Sequence, residues 1–181
     1  MATVRYTVPG LERGDAEKVV ELLQNRLHAL NDLQLTLKHV HWNVIGPNFI
    51  AVHEMLDPQV DTVRGFVDDI AERIATLGGS PNGTPGSLVK ERTWDDYSIG
   101  RDDAIAHLGA LDLVYDGVIK DHRTAIEKTG ALDPVTEDLL TGQTGELEQF
   151  QWFVRAHLEN SDGSLKSADA SSETDAAAEA R

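Results

Sequence analysis

The sequence contains no cysteine, and this absence excludes several classes of site at once. Disulfides, iron–sulfur clusters and zinc sites built on cysteine thiolates cannot form. No apolar run approaches the roughly 18 residues that a membrane-spanning helix needs. Residues 1–6 also lack the apolar stretch of a secretory signal. We therefore expect a cytoplasmic protein that does not enter membranes.

Basic residues are scarce as well, with 16 Lys and Arg against 31 Asp and Glu, which gives a formal net charge of −15. Binding to a phosphate polyanion needs clustered cations, so this balance argues against nucleic-acid contact over most of the surface. The same balance favours solubility and attracts cations. A solvated acidic surface explains the charge equally well, so charge alone does not identify a partner.

Four long segments carry apolar residues at every third or fourth position, a pattern typical of helices. They run from an N-cap at Asp15 to about 43, from about 49 to 77, from about 99 to 128, and from an N-cap at Asp133 to about 159. A Gly- and Pro-rich crossover over 78–96, with a short helix at about 86–91, joins the second segment to the third. Two helical hairpins joined by one long crossover predict an all-α, ferritin-like four-helix bundle.

The composition changes after residue 160 to Ser, Ala, Asp, Glu and Gly with almost no large apolar side chains. This segment holds five acidic residues against Lys166 and Arg181, a net charge of −3. Such a composition is typical of disordered chain. The sequence thus predicts a bundle domain over 1–160, with a short N-terminal arm, and an acidic, disordered tail over 161–181.

One set of potential metal ligands stands out in the first hairpin, and it consists of His41, His53, Asp57, Asp68 and Glu72. The last three lie about 40°, 60° and 100° around the second helix from His53, so the four share one face. That face borders the apolar stripe, where charges are costly unless they are paired or bound to metal. Two imidazoles and three carboxylates suit Fe(II), with Mn and Zn as competitors.

A single chain cannot gather these ligands, because His53 and Glu72 lie about 28 Å apart along one helix. The pairs 53/72 and 57/68 are, however, centred on the same point between residues 62 and 63. If two copies of this helix cross antiparallel about a two-fold axis there, His53 faces Glu72 of the partner subunit. Residues 41 and 53 are equidistant from Pro47 in the turn, which places His41 beside His53. Chance is the alternative explanation, since acidic residues are frequent in this chain.

Other motifs fit less well. No Glu is followed three residues later by His, which argues against the di-iron site that ferritin-like bundles build in their core. The segment His53–Asp57 departs from the zinc-protease motif at its last position. Trp42 suits either interface packing or a redox-active ring beside the site. His39 lies on another side of the helix from His41, and packing or surface roles are expected for His28, His107, His122 and His157.

Three segments resemble signatures of the Dps family, the twelve-subunit mini-ferritins. The first covers 38–49 (KHVHWNVIGPNF) and continues at 53–57 (HEMLD), and the second covers 68–74 (DDIAERI). Residues 150–158 in the fourth helix are also similar to the family. The resemblance extends over about 10–160.

This resemblance implies a hollow dodecamer built from isologous dimers, with a ferroxidase site at each two-fold interface. His41, His53 and Asp57 would come from one subunit, and Asp68 and Glu72 from the other. In this family Fe(II) is oxidised, preferably by hydrogen peroxide and otherwise by dioxygen, and ferric iron is stored as a mineral in the cavity. Trp42 matches a family tryptophan that is suggested to trap stray oxidising equivalents.

The resemblance also implies acidic three-fold pores near the start of the fourth helix, where iron enters. Asp133, Glu137 and Asp138 fall there, and Asp138 is the best candidate because Asp133 also suits a helix cap.

DNA-binding members often carry Lys- and Arg-rich tails, whereas residues 1–13 hold only Arg5 and Arg13 against Glu12. We therefore expect weak or absent DNA binding. The alternatives are a DNA-compacting protein with secondary ferroxidase activity and a structural shell whose site binds zinc.

Overall fold

The computed structural model describes residues 3–181, which form six helices and one two-stranded sheet. The helices are α1 (Arg13–Asn43), α2 (Phe49–Thr76), α3 (Pro85–Glu91), α4 (Ala104–Gly130), α5 (Pro134–Leu158) and α6 (Glu173–Glu179). The predicted all-α bundle with a short helix in the crossover is confirmed. No helix within residues 3–181 is long and apolar enough to cross a membrane.

The bundle is held together by two antiparallel hairpins, in which α1 packs on α2 and α4 packs on α5. Apolar side chains at seven-residue spacing face the shared core. They are fully buried and include Leu23, Leu30 and Leu37 of α1 and Leu56, Val63 and Ile70 of α2. Burying each such side chain contributes roughly 1.5–3 kcal/mol, which makes this core the main source of stability. The α2 helix runs without interruption through Pro58.

A small parallel sheet, absent from the sequence prediction, ties the first hairpin to the start of α4. Strand β1 (Val44–Ile45) leaves α1 and pairs with β2 (Asp102–Asp103). The Asp103 side chain then caps α4 by accepting a hydrogen bond from the Ala106 N–H. The α4 helix consequently begins at Ala104 and not at about residue 99 as the periodicity predicted. Gly46, with φ of +94°, makes the turn from β1 towards α2 in the left-handed region that favours glycine.

The C-terminal segment differs from the predicted disorder, because α6 packs against the first half of α4. Its Ala176, Ala177 and Ala180 are buried, and Gly109 of α4 leaves room for the α6 backbone. The Ser172 side chain caps α6, and Glu173 accepts hydrogen bonds from Ser98. The composition wrongly indicated disorder because small residues allow two helices to pack closely without any large apolar side chain. The boundary between domain and tail at residue 160 stays a prediction.

Replacing Gly109 with Ala tests this contact. The added Cβ would lie 2.4 Å from the carbonyl oxygen of Ala176, a backbone atom that cannot move without α6. We expect α6 to detach, so that limited proteolysis after residue 160 speeds up several-fold while the bundle keeps its helical signal.

Gly117→Ala is the matched control on the same helix, because nothing lies within 4 Å of the Cβ it adds. That variant should keep the tail protected and gain up to about 1 kcal/mol from helix propensity. Equal tail protection in the two variants would contradict the packing of α6 on α4.

Candidate metal centre

Three of the five predicted ligands meet where α1 turns into α2. His41 lies in the last turn of α1, His53 in the second turn of α2, and Asp57 one turn further along. The two imidazole rings are stacked, with centroids 3.6 Å apart and planes inclined by 22°. An Asp57 carboxylate oxygen lies 3.3 Å from Nδ1 of His41. The structure therefore brings this half of the ligand set together within one chain.

Each of the two imidazoles is held by the backbone of the other residue. Nδ1 of His41 donates to the His53 carbonyl and Nδ1 of His53 donates to the His41 carbonyl, both at 2.9 Å. The His41 carbonyl is one of the last four of α1, which lack partners within the helix. Because a carbonyl only accepts, both rings carry their proton on Nδ1, and in the neutral ring Nε2 keeps its lone pair. This arrangement is typical of histidines that bind a metal through Nε2.

Asp57 is kept in its ionised form by a lysine that the sequence analysis missed. Nζ of Lys38 donates to the Asp57 carboxylate at 2.7 Å, and this hydrogen bond lowers the pKa of Asp57 below its ordinary value. The carboxylate side chain is 51% exposed, whereas that of His41 is 8% exposed. Lys38 precedes His41 by three residues on α1, so helical spacing could have identified it.

The other two predicted ligands, Asp68 and Glu72, lie further along α2 and are exposed. Since α2 is continuous, Glu72 is about 28 Å from His53 along the helix axis. In the part of the chain that the structure describes, no three His, Asp or Glu side chains are arranged to hold a metal ion. A complete ligand set requires a second chain, and that assembly stays a prediction.

Trp42 follows His41 but points away from the protein, and its residue is 71% exposed. Nζ of Lys38 lies 6.0 Å from the centroid of its ring. His39 is directed elsewhere and donates to the Ile99 carbonyl at 2.9 Å. The remaining histidines stand apart from this turn, with His28, His107 and His122 buried and His157 exposed.

The three predicted pore residues differ in their surroundings. Asp133 is buried and accepts a hydrogen bond from Arg73 at 2.6 Å and another from Thr136. Burial alone would raise the pKa of Asp133, but these donors hold it below its ordinary value. Its side chain makes no capping bond to the α5 backbone, because Arg73 and Thr136 engage it instead. Of the other two, Glu137 is half-buried and Asp138 is exposed.

Comparison with known proteins identifies the family of this chain. A family model described as a ferritin-like domain matches residues 20–163. The chain is also 62% identical over 176 residues to the "DNA protection during starvation protein" of Mycolicibacterium smegmatis, across 97% of this chain and 96% of that one. The chain belongs to the Dps family.

A solved Dps structure confirms the ferritin-like fold. DpsA14 from Streptomyces coelicolor superposes with a TM-score of 0.90 at 68% identity, covering 91% of this chain and 98% of that one. Another protein of similar sequence has a name that refers to pili and not to DNA protection. The "Fine tangled pili major subunit" of Haemophilus ducreyi is 55% identical over 160 residues, across 88% of this chain and 85% of that one. Membership of the Dps family therefore fixes the fold, and function has to be argued from the site.

Replacing Asp133 with Asn tests whether this predicted pore residue stabilises the Dps chain. The change removes the charge that faces Arg73 in a buried setting, so we expect a loss of about 2 kcal/mol of unfolding free energy. Denaturant unfolding measures it. Asp138→Asn, at an exposed carboxylate of the same helix, is the control and should leave stability unchanged. If both variants unfold like the parent, the Asp133–Arg73 contact does not stabilise the chain.

Proposed function

We propose that this Dps family member is a ferroxidase, which oxidises Fe(II), preferably with hydrogen peroxide, and stores ferric iron as a mineral in a hollow dodecamer. The observation that carries the proposal is the pair of stacked imidazoles, each with Nε2 free, beside an ionised carboxylate at an exposed position of α2. Mixed imidazole and carboxylate ligands suit Fe(II). The fold alone would not support this conclusion.

The exposed face of α2 supports a two-fold contact between subunits. Asp61 and Arg64 are both exposed and are centred, like 53/72 and 57/68, on the point between residues 62 and 63. An antiparallel pair of α2 helices would thus set Asp61 against Arg64 of the partner subunit, an attractive contact repeated twice by symmetry. The same register sets Asp57 against the partner's Asp68, and two facing carboxylates repel unless a cation lies between them.

The chemistry of the proposed reaction follows from two Fe(II) ions reacting with one peroxide. Each ion gives one electron, the O–O bond breaks, and with two protons the oxygens leave as two waters. Because both electrons are delivered together, no hydroxyl radical is released. The chain's contribution is to hold the imidazoles by backbone hydrogen bonds, so that ligand geometry needs little rearrangement when iron arrives. The acidic surface, including Asp138 in the proposed pore, attracts Fe(II).

Mixed assemblies test whether the site is shared between subunits. His41→Ala and Asp68→Ala each remove a ligand from every site, so each pure assembly should lose most peroxide-driven Fe(II) oxidation. When the two variants are unfolded, mixed in equal amounts and reassembled, half of the dimers are mixed and each of these holds one intact site. Stopped-flow absorbance should then show about a quarter of the parent rate.

The double variant His41→Ala/Asp68→Ala, mixed in the same way with the His41→Ala chain, is the control. It leaves no dimer with an intact site and should restore nothing. A site built within one chain would give no recovery in either mixture, because every chain then carries a lesion. Equal rates in the pure variants and the parent would show that these residues are not ligands.

The alternative function, DNA compaction with secondary ferroxidase activity, is disfavoured by the charge of both ends of the chain. The N-terminal arm offers only Arg5 and Arg13, and Arg181 is engaged by the carboxylates of Asp102 and Asp103. We expect no retention of duplex DNA in a gel shift at about 50 mM salt, where contacts to phosphates are strong. Tight retention that disappears as salt is raised would instead support the DNA-binding function.

A further inference from the structure

Lys38 differs from the other lysines that form ion pairs in the described chain. Its side chain is 28% exposed, whereas those of Lys18, Lys90 and Lys120 are 65–80% exposed. Its ammonium lies 2.7 Å from Asp57 Oδ1, and the same oxygen is 3.3 Å from Nδ1 of His41. The ammonium of a half-buried lysine side chain thus lies against a proposed metal ligand, within the group of side chains that would receive the ion.

An ammonium in this position competes with a metal ion for the same oxygen. A transition ion binds a carboxylate oxygen at about 2.0–2.2 Å, well inside the distance that Lys38 now keeps. Both groups are cations, so their mutual repulsion is strong at such separations wherever water is partly excluded. An ion therefore binds Asp57 most favourably after Lys38 has moved away from the carboxylate. If both cations stay, their repulsion weakens the binding of the ion.

We propose that Lys38 lowers the affinity of the metal site, because its ammonium occupies the Asp57 oxygen in the metal-free protein and must be expelled by an incoming divalent ion. This inference rests on the proposed function, since it assumes that Asp57 is a ligand. The lysine side chain swings towards solvent, where its partial exposure leaves room.

Titration with Co(II), which is bound without being oxidised, tests the proposal apart from catalysis. The assembled protein is stripped of metal with a chelator, and Co(II) binding is followed by calorimetry and visible absorbance. Lys38→Met removes the charge and keeps the length of the side chain. We expect it to bind the first Co(II) about tenfold more tightly than the parent. Lys38→Gln should change affinity in the same direction, and Lys38→Arg, which retains the charge, should stay within about twofold of the parent.

Lys18→Met is the matched control, because Lys18 makes an equally short pair with Asp15, at 2.8 Å, on an exposed part of α1. It should bind Co(II) like the parent. Unchanged or weakened binding in both Lys38→Met and Lys38→Gln, with normal binding by the parent, would overturn the role of Lys38 alone. If the parent itself binds no Co(II), the proposed metal site fails and this inference fails with it.

Discussion

The reciprocal hydrogen bonds between His41 and His53 are the constraint on which the rest of the site depends. They join the end of α1 to the start of α2 and place a proton on Nδ1 of each ring, because the carbonyl oxygen can only accept. The turn at Gly46 brings the two residues to the same height, and the β1–β2 pair anchors that turn to α4. The relative placement of these two predicted ligands thus follows from closing the helical hairpin.

Two carboxylates of this acidic chain are held by specific basic or hydroxyl partners. A carboxylate in isolation is solvated and mobile, but Asp57 is held by Lys38, and Asp133 by Arg73 and Thr136. The two carboxylates have different uses despite similar chemistry. Asp133 is buried and its charge is balanced by Arg73, whereas Asp57 is half exposed and its partner is a partly exposed lysine. A carboxylate that is to bind an ion needs a partner that the ion can displace, and Lys38 is such a partner for Asp57.

Much of the fold could be predicted because the spacing of apolar residues in a long helix shows which face is buried. The four long helices and the crossover helix were predicted within a few residues, and the pairing of His41 with His53 followed from their distance to Pro47. The start of α4 was wrong, because pairing between β1 and β2 is a contact between distant segments that periodicity does not register. Helical spacing places Lys38 on the same side of α1 as His41, but spacing along one helix does not show that its ammonium reaches Asp57 on α2. The role of all five residues as ligands remains a prediction, and Asp68 and Glu72 lie too far along α2 to meet the other three within one chain.

The packing of α6 on α4 has a consequence for how such segments are recognised. The fit of Ala176 against Gly109 depends on the smallness of both residues. The small residues that make the composition typical of disordered chain are therefore the residues that allow α6 to pack on α4. Large apolar residues in α6 would make the sequence look more typical of an ordered helix. They would also prevent the close contact with α4 that holds α6 in place. At the positions of α6 that face α4, the size of a side chain and not its hydrophobicity limits which substitutions the contact tolerates.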